Sequence, residues 1–106
     1  MIKRIWRGWT DGGNADAYES LLKSEIFPGI AARNVAGYRG IELLRRKLPD
    51  GDVEFVTIMT FDSLDAVRAF AGEDYETAYV PASARAVLAR FDIRSAHYDV
   101  RKAFGE

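Results

Sequence analysis

The chain has 106 residues, 48% of them hydrophobic and 29% charged, and its net charge is −1. This length and composition fit a single globular domain spanning residues 1–106. The basic residues are scattered and number 15 against 16 acidic ones, which argues against a nucleic-acid partner. The absence of cysteine excludes disulfides and thiolate metal sites, and one histidine without clustered carboxylates predicts no metal site of another kind.

The N-terminal sequence MIKRIWRGWT has no long apolar run behind its basic residues. We therefore expect neither a signal peptide nor a membrane-spanning segment, and we expect a cytoplasmic protein without a membrane partner. The same segment, Ile2 to Thr10, is rich in β-branched and aromatic residues and is predicted to be the first strand. Asp11-Gly12-Gly13 ends it in a turn.

A helix is predicted after this turn, with Asn14 as its N-cap. Its apolar positions recur at helical spacing: Tyr18, Leu21, Leu22 and Ile26. Pro28-Gly29 is predicted to end or kink it. Two strands follow, YRGIELLRRK and VEFVTIMTF, and the LPDGD between them predicts a hairpin because Asp50-Gly51 suits a turn with positive φ.

The second half of the chain predicts two helical segments and a last strand. Ser63 caps the first segment and Gly72 ends it. Apolar residues again recur at helical spacing beyond it: Val80, Ala84, Val87, Leu88 and Phe91. Ile93 to Val100 is predicted to be the closing strand. The order strand, helix, strand, strand, helix, strand indicates an α+β fold, the ferredoxin-like βαββαβ plait with a four-stranded antiparallel sheet.

Both faces of the predicted sheet are apolar. Ile2 and Trp6 point to one face of the first strand, whereas Ile5 and Trp9 point to the other. Similarly, Tyr38 and Leu44 are expected to oppose Ile41 and Leu43, and Val56 and Ile58 to oppose the other apolar residues of their strand. Helices can cover only one face, so we expect a second copy of the chain to cover the other, in a homodimer.

Several segments together resemble the antibiotic biosynthesis monooxygenase family of the dimeric α+β barrel superfamily. They are WRGWT in the first strand, AYESLL in the helix, VEFVTIMTFDSLDAVRAFAGED after the hairpin, and AHYDV at the end. The resemblance covers about residues 2 to 100. It implies a ferredoxin-like protomer, a dimer that completes a barrel, and a pocket between helices and sheet. The family contains cofactor-independent oxygenases and haem degraders.

The residues of the haem-degrading members can be sought one by one. Those members carry an asparagine in the first strand, a tryptophan in the helix after the third strand, and a histidine that follows an alanine. Here the first strand has no asparagine, Phe70 replaces the tryptophan, and Ala78-Tyr79 replaces the alanine-histidine pair. Tyrosine ligates haem in some other proteins. The three departures together argue against haem, and we expect no cofactor.

His97 is the candidate general base. An imidazole of ordinary pKa could deprotonate a phenol for reaction with oxygen, and Asp99, two residues on and on the same strand face, could fix its tautomer. The alternative is a histidine at a solvated rim or at the dimer seam. Tyr79 is the second catalytic candidate.

Trp6, Phe70 and Tyr75 are the candidate ligand-binding residues. A flat aromatic ligand could stack on Trp6, although core packing explains this side chain as well. Phe70 lies in the apolar stripe of its helix. If the segment after Gly72 is a helical turn, Tyr75 and Tyr79 share one face, where they could bind a ligand or pack as ordinary helix-end tyrosines.

Two functions from different classes fit these features. The first is an enzyme, a cofactor-independent oxygenase of small aromatic or quinol substrates. The second is a non-catalytic dimer that binds a small apolar molecule, which the missing family asparagine, tryptophan and histidine favour. An RNA-binding plait is excluded because the third strand lacks the basic-glycine-aromatic pattern of that module.

Overall fold

The computed structural model describes residues 1–105 as one antiparallel sheet with helices on one face. The strands are β1 (Ile2–Thr10), β2 (Tyr38–Lys47), β3 (Val53–Phe61), β4 (Arg90–Phe91) and β5 (Ala96–Asp99). The helices are α1 (Ala15–Leu21), a π-helical turn (Leu22–Ile26), α2 (Phe27–Ala32), α3 (Leu64–Ala71) and α4 (Ala82–Arg85).

The strand order is β2-β3-β1, and both β4 and β5 pair with the remaining edge of β1. β4 lies beside Gly8 and Trp9, and β5 lies beside residues 2–5. This is the ferredoxin-like order with its fourth strand in two pieces, so the predicted α+β fold is confirmed. The β2-β3 hairpin is also as predicted, with Gly51 at φ 93° and a hydrogen bond from Leu48 N to Asp52 O.

The prediction of one closing strand over residues 93–100 is wrong in its first part. Ser95 N donates to Glu76 O at 2.7 Å, and Ala78 N donates to Ile93 O at 2.9 Å. Residues 93–95 therefore pair with the segment that follows α3 instead of with β1. This second pairing splits the edge strand and ties residues 76–78 beside the sheet.

The first helical region continues through Pro28, where the sequence predicts an end or a kink. A proline lacks the helical N–H, and its ring crowds the carbonyl four residues earlier. The wider π-helical turn Leu22–Ile26 directly precedes this point, and α2 then runs on to Ala32. Asn14 occupies the N-cap position of α1 but makes no side-chain capping hydrogen bond.

The helix predicted over Val80 to Phe91 is much shorter than its periodicity suggests. α4 spans only four residues, and Leu88 N still donates to Ala84 O. Ala89 N then donates to Trp9 O at 2.7 Å, so the chain leaves the helix to join β1, and Phe91 lies in β4. α3 is as predicted: Ser63 Oγ accepts from Ala66 N at 3.2 Å, and Gly72 has φ 86°.

The helix-covered face of the sheet carries two buried apolar clusters. One is centred on Tyr18 and Phe55 and the other on Phe61 and Val67. Tyr38 packs against the second cluster, although the alternation predicted it on the opposite face from Ile41. An irregularity in the β2-β3 register between Tyr38 and Gly40 causes this difference.

The other face has no helix. Ile5 pairs directly with Ile58 there, both half-buried, and Leu44 lies beside Val56. Trp9, predicted on this face, lies under the guanidinium of Arg90, which is 3.9 Å from its ring centroid.

Among residues 1–105, no helix combines the length and the apolar character needed to cross a membrane.

Candidate functional site

A cavity of about 510 Å³ lies between the helices and the covered face of the sheet. Its walls are mainly apolar. Sheet residues contribute one wall, namely Arg4, Trp6, Ile41, Thr57 and Met59, and the first helical region contributes the opposite one, including Tyr18, Leu22, Ile26, Phe27 and Ile30. Phe70 at the end of α3 and residues 77–81 complete it. A space of this size suits a small aromatic molecule.

The π-helical turn contributes Leu22, Glu25 and Ile26 to the cavity wall. Turns of this kind occur often at functional sites because they change which side chains a helix presents. The turn and the proline after it therefore shape the pocket as well as the helix. The opposite end is shaped by the pairing of residues 76–78 with residues 93–95, which places the 77–81 segment along the rim.

Arg4 is the charged residue of the sheet wall, and its exposed fraction is only 5%. Its Nη1 atom donates to the carbonyl of Tyr75 at 2.5 Å and approaches His97 Nε2 at 2.9 Å. Its guanidinium carbon lies 5.8 Å from the ring centroid of Phe70. Burial lowers the pKa of Arg4 from its ordinary value, because the protein removes water that would solvate this charge.

His97 lies opposite Arg4 in the β1-β5 pair and does not line the cavity that Arg4 lines. An arginine can only donate hydrogen bonds, so Nε2 of His97 must accept and its proton must be on Nδ1. This histidine is therefore neutral. Burial first, and then the charge of Arg4, hold the pKa of His97 below its ordinary value, with Glu76 opposing them.

His97 and Tyr75 line a second, shallower hollow beside the N-terminus of α3. Their rings meet edge to face, with centroids 5.1 Å apart. Asp99 also lines this hollow, but no hydrogen bond joins it to His97 among the described residues. The predicted support of the histidine by Asp99 is thus replaced by a contact with Arg4.

Tyr79 lines the cavity between the helices and the sheet at its rim, with an exposed fraction of 83%. Tyr75 points into the other hollow, so the expectation that the two phenols share one face is wrong. The cause is that the turn at Tyr75 and Glu76 does not continue as a helix: Thr77 forms a β-bridge with Arg94. Of the five candidate residues, the cavity thus brings together Trp6, Phe70 and Tyr79 and leaves out Tyr75 and His97.

Trp6 is fixed at one end of the cavity. Its indole Nε1 donates to the carbonyl of Asp92 at 2.8 Å, and its ring lies 6.2 Å from that of Phe91. Gly8 makes room for it, since a Cβ atom there would stand 2.7 Å from Cη2 of the indole. Phe70 lies near two arginines, with the guanidinium carbon of Arg33 at 4.7 Å from its ring centroid.

Arg4 and Tyr18 are the two site residues that the sequence interpretation missed. Burial raises the pKa of Tyr18, so its phenol stays protonated at neutral pH. A signal for Arg4 was present: it alternates with Ile2 and Trp6 on the inward face of β1, where a charge is unusual.

No group of three potential metal ligands, counting His, Cys, Asp and Glu, occurs among residues 1–105.

The sequence matches no protein-family model and no curated protein, but solved structures match its fold over nearly the whole chain. One is a candidate antibiotic biosynthesis monooxygenase from Bacillus cereus, with a TM-score of 0.70, 16% identity, and coverage of 99% of this chain and 95% of that one. A protein of the same description from Caulobacter crescentus matches with a TM-score of 0.61, 17% identity, and coverage of 95% and 90%.

SnoaB from Streptomyces nogalater, described as a cofactor-independent oxygenase, matches with a TM-score of 0.61 and 20% identity. The alignment covers 99% of this chain and 97% of SnoaB. The chain thus has the fold of the antibiotic biosynthesis monooxygenases, as its sequence segments predict. Identities at this level establish the fold, and the chemistry has to be argued from the cavity itself.

Proposed function

We propose that this protein is a cofactor-independent oxygenase of small aromatic or quinol substrates. The observation that carries the proposal is the cavity of about 510 Å³, with Trp6 and Phe70 among its walls. Apolar walls and a few polar groups suit a flat aromatic molecule and keep water away from it. The description of SnoaB as a cofactor-independent oxygenase supports this reaction class for the fold.

The reaction requires no other reductant. A methylene carbon made acidic by a conjugated carbonyl group, as in an anthrone, loses a proton, and the resulting enolate passes electrons to molecular oxygen. One oxygen atom remains on the carbon as a carbonyl group, and the other leaves as water with the two hydrogen atoms of the methylene. The electrons come from the substrate, so the protein has to bind it, accept a proton and exclude solvent.

Tyr79 is the proposed proton-transfer residue, because it lines the cavity at its open rim. His97 remains part of the proposal, but through Arg4: its Nε2 fixes one end of a guanidinium that does line the cavity. Tyr18 contributes a protonated phenol from the helix wall. Tyr75 helps to hold Arg4 in place, since its carbonyl accepts the other hydrogen bond from Nη1 of Arg4.

A non-catalytic binding protein is the second candidate, and one observation favours it. The only imidazole of the chain lies outside the cavity and its accepting nitrogen faces Arg4. A cavity without a free base near neutral pH would hold a ligand without transforming it.

Oxygen uptake by the purified protein distinguishes the two candidates. An oxygen electrode with a panel of hydroquinones and anthrones should record uptake above the protein-free rate, and Tyr79→Phe and His97→Ala should reduce it. Tyr98→Phe is the matched control, because this exposed tyrosine lies in β5 away from the cavity. Uptake at the blank rate, together with thermal stabilisation by the same compounds, would establish the binder instead. A brown protein with a Soret band would point to haem.

We also propose that the protein is a homodimer in the cytoplasm, with the open face of the sheet as the interface. The support is the pair Ile5 and Ile58 at the centre of that face and the exposed Leu44 beside it. Full burial of an exposed aliphatic side chain contributes about 1.5 to 3 kcal/mol, and covering these partly buried side chains contributes a fraction of that.

A further inference from the structure

No carboxylate among residues 1–105 lies within ion-pairing distance of Arg4. Eight ion pairs join residues within 1–105, and Arg4 takes part in none of them. Arg39, which pairs with Asp62, is exposed, whereas Arg4 has an exposed fraction of only 5%. A buried charge without an opposite charge is costly, because the protein replaces the solvation that water would give.

The hydrogen bonds of Arg4 occupy one nitrogen only. Nη1 carries two hydrogen atoms, and its two contacts are the carbonyl of Tyr75 and Nε2 of His97. Nε and Nη2 remain, with three N–H groups between them. Among residues 1–105, the only fully enclosed side-chain polar atom without a partner is Oγ1 of Thr10, so these nitrogens of Arg4 are not sealed in the protein.

The same two nitrogens bind a carboxylate elsewhere in this molecule. Arg39 Nε and Nη2 donate to the two carboxylate oxygens of Asp62 at 2.6 and 2.5 Å. This parallel pair of bonds is the geometry in which arginine binds carboxylates best. Arg4 lies at the wall of an apolar cavity and has its Nε and Nη2 atoms available, whereas Arg39 uses the same two atoms on the surface.

We propose that the ligand of the cavity is an aromatic acid, with its ring between the apolar walls and its carboxylate held by Nε and Nη2 of Arg4. A carboxylic acid has an ordinary pKa of about 4 and a phenol one of about 10, so at neutral pH only the carboxylate brings a full negative charge to this arginine. The other charged residues of the lining, Glu25 and Arg33, are exposed. This inference rests on the proposed function only in taking the cavity as the ligand site.

Three naphthalene probes of the same shape test the proposal without any turnover. Binding of 2-naphthoate, 2-naphthamide and 2-naphthol to the wild-type protein is measured by calorimetry at pH 7.5, below the pKa of the naphthol. We expect the naphthoate to bind about 10- to 100-fold more tightly than the amide, as for a hydrogen-bonded charge. Equal affinities for acid and amide, or tightest binding of the naphthol, would overturn the proposal. This comparison needs no variant to fold.

Variants of the two arginines at the cavity then show which of them causes the preference for the acid over the amide. Arg4→Gln keeps hydrogen-bond donors without the charge, and we expect the ratio of amide to acid dissociation constants to fall to within about 2-fold of unity. Arg4→Lys keeps the charge without the paired donors and should retain only part of the ratio. Arg33→Gln is the matched control, since this arginine contacts the same Phe70 ring at the cavity and is exposed. Loss of the preference in Arg33→Gln with retention in Arg4→Gln would refute the assignment.

The outcomes separate this inference from the proposed function. Preference for the acid without oxygen uptake would leave an acid-binding protein and remove the oxygenase. Oxygen uptake with neutral anthrones and no preference for the acid would leave the oxygenase and remove the role of Arg4. The resonance of Arg4 Nε–H, assigned with Arg4→Lys, provides an independent reading: it should shift with naphthoate and stay unchanged with naphthamide.

Discussion

Arg4 Nη1 lies 2.9 Å from Nε2 of His97, across directly paired positions of β1 and β5. The contact makes the histidine an acceptor and leaves it neutral, and it fixes the orientation of the one buried guanidinium at the cavity wall. His97 is therefore a positioning residue in our account, whereas its sequence pattern had suggested a base that touches the substrate.

The neutral histidine should make stability depend on pH. The folded-state pKa of His97 lies below the ordinary 6.5, because burial and the charge of Arg4 disfavour the imidazolium. As the pH falls below 6.5, the unfolded chain takes up a proton at this residue before the folded chain does. The free energy of unfolding should thus decrease from pH 7 toward the folded-state pKa. Urea denaturation at a series of pH values measures this.

His97→Gln is the control for that measurement, since a glutamine carbonyl can still accept from Arg4 and does not titrate. Because the chain has a single histidine, its removal should flatten the pH dependence between about 5 and 7. The same slope in both proteins would show that another group is responsible.

Gly8→Ala should displace Trp6 from the cavity wall. The added Cβ would lie 2.7 Å from Cη2 of the indole and 3.0 Å from Cδ2 of Leu88, and overpacking of this kind costs about 1 to 3 kcal/mol. Denaturation followed by tryptophan fluorescence measures both the loss of stability and the changed indole environment. Gly29→Ala is the matched control: a Cβ there meets nothing within 4 Å, and α2 should gain about 0.5 to 1 kcal/mol. Equal effects at the two glycines would contradict the packing argument.

Ile58→Lys should convert the proposed dimer into a monomer. Ile58 lies at the centre of the helix-free face, directly paired with Ile5, and a lysine ammonium buried there between two sheets would lack a partner. Light scattering after size exclusion should give twice the chain mass for the wild type and the chain mass for the variant. Ser83→Lys, an exposed change on α4, should leave the dimer intact. A wild-type monomer at micromolar concentration would end the dimer proposal.

Ile41→Trp should fill the cavity without changing the fold. Ile41 lines the cavity from β2, and the larger indole has open space before it. We expect two-ring ligands to bind at least about 10-fold more weakly. The free energy of unfolding should change by no more than about 1 to 3 kcal/mol, which is typical of an added core group. Ile41→Leu conserves volume and should bind normally. Unchanged ligand affinity in Ile41→Trp would show that ligands bind elsewhere.

The fold was predictable from sequence because its signals are local. The alternation in β1 and β3, the Asp50-Gly51 turn and the Ser63 cap each act within a few residues. The errors come from contacts distant in sequence. Residues 93–95 leave β1 to pair with residues 76–78, and Ala89 leaves its helix to bond to Trp9, which no helical periodicity could reveal.

The site was only partly predictable for the same reason. Trp6 and Phe70 were identified from their size and position, and both line the cavity. Tyr75 and Tyr79 line different hollows because the turn after Asp74 ends at Thr77, which forms a β-bridge with Arg94 instead of continuing a helix. The role of Arg4 depends on burial and on a cross-strand neighbour, and both follow only from the assembled sheet.

Oxygen-18 labelling tests the central claim, oxygenation inside the cavity, most directly. Metal-free wild-type protein is incubated with an anthrone under oxygen-18 gas, and the ketone is analysed by mass spectrometry. Our account predicts one labelled oxygen atom in the product, formed faster than without protein, and a rate reduced to the protein-free level in the cavity-filling Ile41→Trp variant. A wild-type rate no greater than the blank, or full activity in Ile41→Trp, would contradict it.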